Sequence, residues 1–206
     1  MEQIQFQLRA LRLSGMASVL PGRLREAKAN ELPFEDFLAA LLQDELDLRK
    51  GRLVNRRLKS ARFPFMKSLQ DFDFTFNPSV KKQQLLELSG CRFIVKSEGV
   101  LFLGPPGVGK SHLAIALGMS AIQNGYSVRY VSAFDLAEDL AESALLGTRK
   151  ETVKRYLKPD LLILDEFGMK RLPGTAAEDL LEIIHRRYRN GSLIIATNRP
   201  VDDWVA

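Results

Sequence analysis

An eight-residue stretch at positions 104–111, GPPGVGKS, has the residue types and spacing of a phosphate-binding loop. Glycines let the backbone wrap closely around phosphate oxygens, and the N–H groups then point inward at the start of a helix, where the helix dipole favours negative charge. We predict that Lys110 reaches the β- and γ-phosphates and that Ser111 offers its hydroxyl to Mg²⁺. The predicted nucleotide-binding residues are Gly104, Pro105, Pro106, Gly107, Val108, Gly109, Lys110, Ser111 and His112.

The residues on both sides of this loop supply the context that the motif requires. The apolar run at 99–103 predicts a buried strand that ends at the loop. After the loop, aliphatic residues recur at helical spacing from Leu113 to Ile122. Strand, loop and helix in this order favour phosphate binding over an ordinary glycine turn.

Two carboxylates follow a second apolar run, LLIL at 161–164. Parallel sheets place their ligands at the carboxyl ends of the strands, where Asp165 and Glu166 would lie. We predict that Asp165 holds Mg²⁺, because this hard cation prefers oxygen ligands, and that Glu166 orients and polarises an attacking water. The alternative is a strand end with solvated acids.

A third predicted strand, at 193–197, is followed directly by Asn198. Its side-chain amide is placed to hydrogen-bond a γ-phosphate or the attacking water, although asparagine is also common in turns. The predicted catalytic residues are therefore Lys110, Glu166 and Asn198, and the predicted metal ligands are Ser111 and Asp165.

Composition indicates a globular chain of 206 residues with 46% hydrophobic and 27% charged residues. Apolar runs are too short for a membrane span, and no signal peptide is visible at the N-terminus. Cys91 is the single cysteine and cannot form an intrachain disulfide. These features predict a cytoplasmic protein with no membrane partner.

Charge divides the sequence into two predicted domains, a basic helical domain at 1–67 and an α/β domain at 68–206. Residues 1–67 hold 13 basic and 8 acidic side chains, so the entire net charge of +5 lies there. Such asymmetry indicates a polyanionic partner. We expect one or two helices with a break near Pro21 and Gly22, then a second helical segment from about Pro33.

Two basic clusters are candidate DNA contacts. The spacing of the first cluster places four cations on one helix face, namely Arg49, Arg52, Arg56 and Lys59. The alternatives to DNA contact are a protein-binding surface and a plain solvated face. The second lies between the second and third predicted strands, where an exposed helix with ordinary charges is the alternative. The full candidate set is Arg49, Lys50, Arg52, Arg56, Arg57, Lys59, Arg149, Lys150, Lys154 and Arg155.

Between the basic helices and the phosphate-binding loop, alternating phenylalanines at 71–78 predict an extended linker with one side packed on the core near the nucleotide. From residue 100 onward, short apolar runs alternate with helical patterns, which predicts a doubly wound α/β sheet. The predicted strands are 100–103, 128–132, 161–165 and 193–197, and the predicted helices are 110–123, 134–146 and 175–188.

Several segments together carry a resemblance to a known family. They are Leu11–Ala17, Arg62–Pro64, Phe72–Phe74, Gly104–Ala114, Leu161–Glu166, Arg187–Tyr188, Ser192–Asn198 and Trp204. In them the chain resembles the IstB-like ATP-binding proteins, helper ATPases encoded beside the transposase in certain bacterial insertion sequences. It is similar, more distantly, to the DnaC helicase loader.

This resemblance implies an AAA+ ATPase with a phosphate-binding-loop core and a parallel sheet flanked by helices. It implies that the protein binds and hydrolyses ATP with Mg²⁺, forms an ATP-dependent oligomer on double-stranded DNA, and stimulates a DDE-type transposase from the same element. Two alternatives stay open, a helicase-loader ATPase and a nucleotide-gated DNA scaffold that does not hydrolyse ATP.

Members of that family continue past the region of Trp204, where the resemblance places an arginine finger and a fifth strand. Because this chain ends at Ala206, we expect an incomplete AAA+ module in which the strand at 100–103 forms an exposed sheet edge. We also expect weak turnover, since loss of an arginine finger costs about 10³–10⁵-fold in related enzymes.

Overall fold

The computed structural model describes residues 1–168 and 176–200. Trp204 lies outside the described residues. The chain forms two compact units, Met1–Arg56 and Arg57–Ala206.

The first unit is helical. Helix α1 spans Glu2–Ala10, α2 spans Ser14–Ala29, and α3 spans Phe34–Ala61 and so continues into the second unit. Its small core consists of Met16, Leu20 and Leu41, which are buried among partly buried neighbours. The hydrophobic spacing read from the sequence therefore predicts the helices of this unit.

The predicted break near Pro21 and Gly22 is wrong, since α2 runs through both residues. Proline lacks the N–H that would bond the carbonyl four residues earlier, which belongs to Ala17. The side-chain amide of Gln5 donates to that carbonyl at 3.2 Å. The contact from α1 thus replaces the bond that the helix loses at Pro21.

In the second unit, four parallel strands form a single sheet in the order β1-β4-β3-β2. The strands are β1 (Gly99–Leu103), β2 (Val128–Ser132), β3 (Leu161–Phe167) and β4 (Ser192–Thr197). The helices are α4 (Lys82–Ser89), α5 (Arg92–Val95), α6 (Lys110–Gln123), α7 (Ala133–Leu145), α8 (Arg149–Leu157) and α9 (Ala176–Arg187). The predicted α/β class and all four predicted strands are confirmed.

Helices cover both faces of the sheet. Helix α6 packs on one face, and its Gly118 lies so close to the sheet that a Cβ there would be 2.7 Å from Ile163 Cδ1. On the other face, residues of α7, α8 and α9 form a core with Leu162 and Leu164. Alternate residues of β3 therefore serve opposite cores, as a strand buried on both faces requires.

Arg187, at the end of α9, is a buried cation that the sequence analysis gave no role. Its two terminal nitrogens donate to main-chain carbonyls at the end of α8, in the loop before β3 and at the first residue of β4. The acceptors are Tyr156, Leu157, Pro159, Asp160 and Ser192, at 2.7–3.2 Å. Burial lowers the pKa of Arg187 to about 10, against the charge of Asp160.

Strand β1 has a neighbouring strand, β4, on one side within the described part of the chain. Leu101 and Leu103 on this strand are each 45% exposed. The expectation that this strand forms an exposed edge is confirmed for the described residues.

The segment before β1 is less extended than its alternating phenylalanines predict. A single 3-10 turn spans Leu69–Asp71, and Asp73 accepts hydrogen bonds from both the N–H and the hydroxyl of Thr75. Such local side-chain bonds favour a turn over an extended chain. The predicted packing is confirmed for Phe72, which is buried, whereas Phe76 is exposed.

No helix among residues 1–168 and 176–200 combines the length and apolarity needed to cross a membrane.

Candidate functional site

The loop at 104–111 joins the carboxyl end of β1 to the first turn of α6. Gly107 and Gly109 have φ angles of 82° and 91°, in the left-handed region that favours glycine. These conformations carry the backbone around the loop and into Lys110, the first residue of α6. The Asn77 side chain donates to the carbonyl of Val108 at 3.4 Å, which ties the preceding segment to the loop.

The ammonium group of Lys110 lies within the loop. It donates to the carbonyls of Gly104 at 2.8 Å and Pro105 at 2.7 Å. Partial burial lowers the pKa of Lys110, and the negative charge of Asp165 opposes that shift. The loop therefore concentrates positive charge where the first turn of a helix also favours an anion.

Asp165 is a buried carboxylate, only 3% exposed, near the end of β3. Its Oδ2 accepts the Tyr130 hydroxyl at 2.7 Å, and its Oδ1 accepts the N–H of Glu166 at 2.8 Å. Burial, together with the bond to Asp165, raises the pKa of Tyr130, so this hydroxyl remains a proton donor. Tyr130 was not among the predicted site residues, because a tyrosine within a strand pattern carries no functional signal of its own.

Glu166 adopts left-handed backbone geometry, with φ at 57°. The pairing of β3 with β4 shifts register between Leu164 and Phe167, so the two acids lie at an irregularity in the sheet. Unusual backbone of this kind is uncommon for residues other than glycine and is frequent at functional sites. Here it places Asp165 in a buried position and Glu166 in an exposed one.

Asn198 follows the last residue of β4, Thr197. The Thr197 hydroxyl donates to the Phe167 carbonyl at 2.6 Å and accepts the N–H of Arg199 at 3.1 Å. These bonds join the ends of β3 and β4 at the point where Glu166 and Asn198 leave the sheet.

One cavity of about 340 Å³ gathers the predicted groups from three strand ends. A larger and more apolar cavity of about 480 Å³ is lined by residues of α9 and the starts of β1 and β4. We take the smaller cavity as the functional site because it combines an ammonium group, a hydroxyl and two carboxylates, whereas the lining of the larger one holds neither an ammonium group nor a carboxylate. Its lining residues are Phe65, Pro106, Gly107, Gly109, Lys110, Ser111, His112, Asp165, Glu166, Ala196 and Asn198.

His112 connects the first turn of α6 to the segment before β1. Its Nε2 donates to the Ser68 carbonyl at 2.9 Å, and its ring lies edge-on to Phe72 with centroids 5.2 Å apart. Phe65 also lines the cavity, although its sequence context gave no site signal beyond its position in the junction. Aromatic residues that precede β1 therefore form part of this site.

The chemistry of this cavity fits a nucleotide with Mg²⁺. The Ser111 hydroxyl and the Asp165 carboxylate are oxygen donors of the kind that Mg²⁺ prefers. No cluster of three or more potential metal ligands among His, Cys, Asp and Glu occurs in the described residues. Mg²⁺ is commonly held by one or two carboxylates together with substrate phosphates, which needs no such cluster.

The candidate DNA contacts are not among the described residues that line this cavity. In the first unit, Arg49 bonds to Glu45 and to the Arg12 carbonyl, and Arg52 bonds to the Ser14 hydroxyl, while both stay solvent-exposed. In the second unit, α8 carries Arg149, which forms ion pairs with two acids of α9, and Arg155, which pairs with Asp139. The remaining candidates are Lys50, Arg56, Lys59, Lys150 and Lys154, which are exposed, and Arg57, which is half-buried.

Similarity to solved structures supports the fold. AMPPCP-bound DnaA from Aquifex aeolicus matches with a TM-score of 0.59 and 25% identity, over 67% of this chain and 43% of that one. A structure of the DnaC helicase loader matches with a TM-score of 0.54 and 26% identity, over 71% of this chain and 80% of that one. The second unit therefore has an AAA+ fold.

Sequence similarity extends over almost the whole chain. The insertion sequence IS5376 ATP-binding protein of Geobacillus stearothermophilus is 34% identical over 203 residues, covering 98% of this chain and 81% of that protein. The corresponding IS21 protein of Pseudomonas aeruginosa is 34% identical over 204 residues, covering 99% and 77%. A model of the family described as IstB-like ATP binding protein matches residues 6–206, and the chain belongs to this family.

Proposed function

We propose that this protein is a Mg²⁺-dependent ATPase whose nucleotide state controls its binding to double-stranded DNA. The observation that carries the proposal is the convergence of Lys110, Asp165 and Glu166 on one cavity. An ammonium group beside a helix N-terminus suits the phosphates, and two adjacent carboxylates suit a cation and a water.

The predicted catalytic and metal-binding residues of the cavity each have a role in this proposal. The loop backbone and Lys110 bind the phosphates, and Ser111 and Asp165 hold Mg²⁺, which supplies charge neutralisation at the phosphate oxygens. Glu166 orients and polarises the attacking water from its exposed position. Asn198 hydrogen-bonds the γ-phosphate or that water. Catalysis then depends on positioning and electrostatics.

The family of relatives supports the wider proposal. Relatives such as the IS5376 and IS21 proteins are named for ATP binding in insertion sequences, so we infer that this chain assists transposition. ATP binding would favour an oligomer on target DNA that stimulates the transposase of the same element, and hydrolysis would release it. DNA contacts made by exposed lysines and arginines would be to phosphates and strongly salt-dependent.

A helicase-loader function is a second candidate, favoured by the likeness to the DnaC helicase loader over 80% of that structure. Pull-down of purified chain with its element's transposase and with a replicative helicase separates the two. ATP-dependent capture of the helicase alone would replace the transposition proposal.

DNA binding with ATP, with ADP and without nucleotide tests the switch. We expect ATP-dependent binding that Lys110→Ala abolishes, because the variant lacks the phosphate-binding ammonium group. Lys96→Ala is the matched control, since Lys96 is an exposed lysine whose ammonium lies 3.9 Å from Glu98. Equal DNA binding by Lys110→Ala and the unmodified chain in all three conditions would contradict nucleotide control.

Hydrolysis is tested by Glu166→Gln, with Glu178→Gln on α9 as an exposed control. We expect ATP binding to persist and turnover to fall by about 10²–10⁴-fold in Glu166→Gln, because the carboxylate that polarises the attacking water is lost. A scaffold that does not hydrolyse ATP predicts instead that the unmodified chain has no turnover and that Glu166→Gln leaves ATP-dependent DNA binding unchanged.

The two basic clusters are compared by charge reversal. Lys150→Glu with Lys154→Glu tests α8, and Arg56→Glu with Lys59→Glu tests α3. We expect the variant of the contacting cluster to weaken DNA binding and to reduce its salt dependence. Unchanged binding in both double variants would contradict DNA contact by these residues.

A further inference from the structure

Tyr130 donates its hydroxyl to the predicted metal ligand Asp165, and it reaches that ligand from a neighbouring strand. Tyr130 lies opposite Ile163 in the pairing of β2 with β3, whereas Asp165 lies opposite Ser132. The hydroxyl therefore extends along the sheet by two positions to donate to Asp165 Oδ2 at 2.7 Å. This bond joins two strands at the edge of the nucleotide cavity.

The Tyr130 bond acts together with a second one to fix the Asp165 carboxylate. While Tyr130 donates to Oδ2, the N–H of Glu166 donates to Oδ1 at 2.8 Å. A rotation of the carboxylate would weaken both bonds at a site that is almost fully buried. Because unpaired buried groups are costly, this pair of donors selects one carboxylate orientation.

The donor itself is held by packing. The ring of Phe63 lies 6.3 Å from the Tyr130 ring at an interplanar angle of 67°, an edge-on contact. Phe63 is in turn close to α6, where a Cβ at Gly118 would lie 2.9 Å from its Cζ. The tyrosine hydroxyl is thereby positioned relative to the helix that begins with Lys110 and Ser111.

We propose that Tyr130 is a positioning residue that orients the Asp165 carboxylate toward Mg²⁺, an inference that rests on the proposed function. Each carboxylate oxygen has more than one lone-pair site, so Tyr130 leaves acceptor capacity for the cation or its water. Loss of such a supporting partner typically lowers metal affinity by about 10–100-fold, although the metal ligands themselves remain.

The test is Tyr130→Phe, which removes the hydroxyl and keeps the ring. Binding of a fluorescent ATP analogue is measured in EDTA and then during titration with MgCl₂. We expect binding in EDTA to stay within about twofold of the unmodified chain and the half-saturating Mg²⁺ concentration to rise about tenfold. Phe63→Leu, which loosens the Tyr130 ring but keeps both hydrogen-bonding groups, should produce a smaller rise.

Tyr156→Phe is the matched control, because Tyr156 is a buried tyrosine whose hydroxyl donates to Asp139, outside the cavity lining. It should leave the Mg²⁺ titration unchanged. An unchanged titration in Tyr130→Phe, or an equal loss of binding in EDTA and in Mg²⁺, would overturn the positioning role. If the unmodified chain binds the analogue without any response to Mg²⁺, the proposed Mg²⁺ site fails as well.

Discussion

The ring of Phe72 occupies the space that a side chain at Gly109 would need. A Cβ built on Gly109 would lie 2.5 Å from Phe72 Cε2, well inside van der Waals contact. Gly109 is the residue immediately before Lys110, and Phe72 also contacts the His112 ring. The segment that precedes β1 is therefore packed directly on the phosphate-binding loop.

Gly109→Ala should destabilise the protein through two separate effects. The left-handed φ of 91° costs an alanine about 1–2 kcal/mol, and the clash with Phe72 adds about 1–3 kcal/mol of overpacking. Gly107→Ala is the matched control, because its φ is 82° but a Cβ there would meet no atom within 4 Å. Chemical denaturation without nucleotide should show the larger loss for Gly109→Ala.

Phe72→Ala in the Gly109→Ala background isolates the clash. Removal of the ring should relieve the overpacking, so the two substitutions together should cost less than the sum of their separate effects. Strict additivity in a double-mutant cycle would mean that Phe72 does not restrict position 109.

Arg187→Met should lower the free energy of unfolding by about 3 kcal/mol, because it leaves several buried carbonyl groups without a donor. The matched control is Arg186→Met at the neighbouring position, where the exposed side chain pairs with Glu182. A surface ion pair contributes at most about 1 kcal/mol. Urea denaturation of both variants checks the difference, and similar losses would show that the buried hydrogen bonds add little.

Glu45 should make the stability of the helical unit depend on pH. Burial alone would raise its pKa, but hydrogen bonds from Arg49, Met16 and Gly15 together hold the pKa below the ordinary 4.5. With the folded-state pKa depressed, the stabilisation is present above pH 4.5 and disappears as the pH falls through the folded-state value. Acid therefore weakens this unit by protonating Glu45.

The corresponding variant is Glu45→Gln, which should lose about 2 kcal/mol at neutral pH because the charged acceptor is gone. Its deficit relative to the unmodified chain should shrink as the pH is lowered below 4.5. Thermal unfolding over this range measures both trends. Asp47→Asn is the control, because it changes an exposed acid on the same helix and should have little effect on stability. A Glu45→Gln deficit that stays constant at every pH would show that the charge of Glu45 does not stabilise the unit.

Leu101→Lys should reduce self-association in the absence of nucleotide. Leu101 lies on β1, which among the described residues has a neighbouring strand on one side only. Exposed apolar edge strands promote pairing between chains, and a lysine on such a strand disfavours that pairing. Leu145→Lys replaces another exposed leucine, on α7 rather than at the sheet edge. Sedimentation over a concentration series should show weaker association only for Leu101→Lys, and equal behaviour of the two variants would exclude edge pairing.

Sequence patterns predicted the strands and the cavity residues because both leave local signals. Apolar runs define the strands, and parallel strands bring their carboxyl ends to one side of the sheet, so Lys110, Asp165 and Asn198 were expected to meet. The continuity of α2 through Pro21 could not be predicted, because it involves a hydrogen bond from Gln5 on another helix.

Other features depend on contacts that residue spacing does not encode. The sequence places Tyr130 in a predicted strand and gives no sign of its contact with Asp165. That contact depends on the pairing of β2 with β3. Arg187 reads as one more cation at a helix end, yet it is buried. The left-handed backbone of Glu166 could not be predicted either, because no glycine occupies that position. It accompanies a local register shift between β3 and β4, which depends on strand pairing.

The hydrogen bonds of Arg187 have a consequence for strand alignment. Its acceptors include the residue before β3 and the first residue of β4, where Leu161 is the register partner of Ser192. A slip by one residue would turn every side chain of β3 to the opposite face, including Asp165. The bonds of Arg187 therefore favour the alignment of β3 with β4 that leaves Asp165 on the cavity side, about 13 Å along the strand from Leu161.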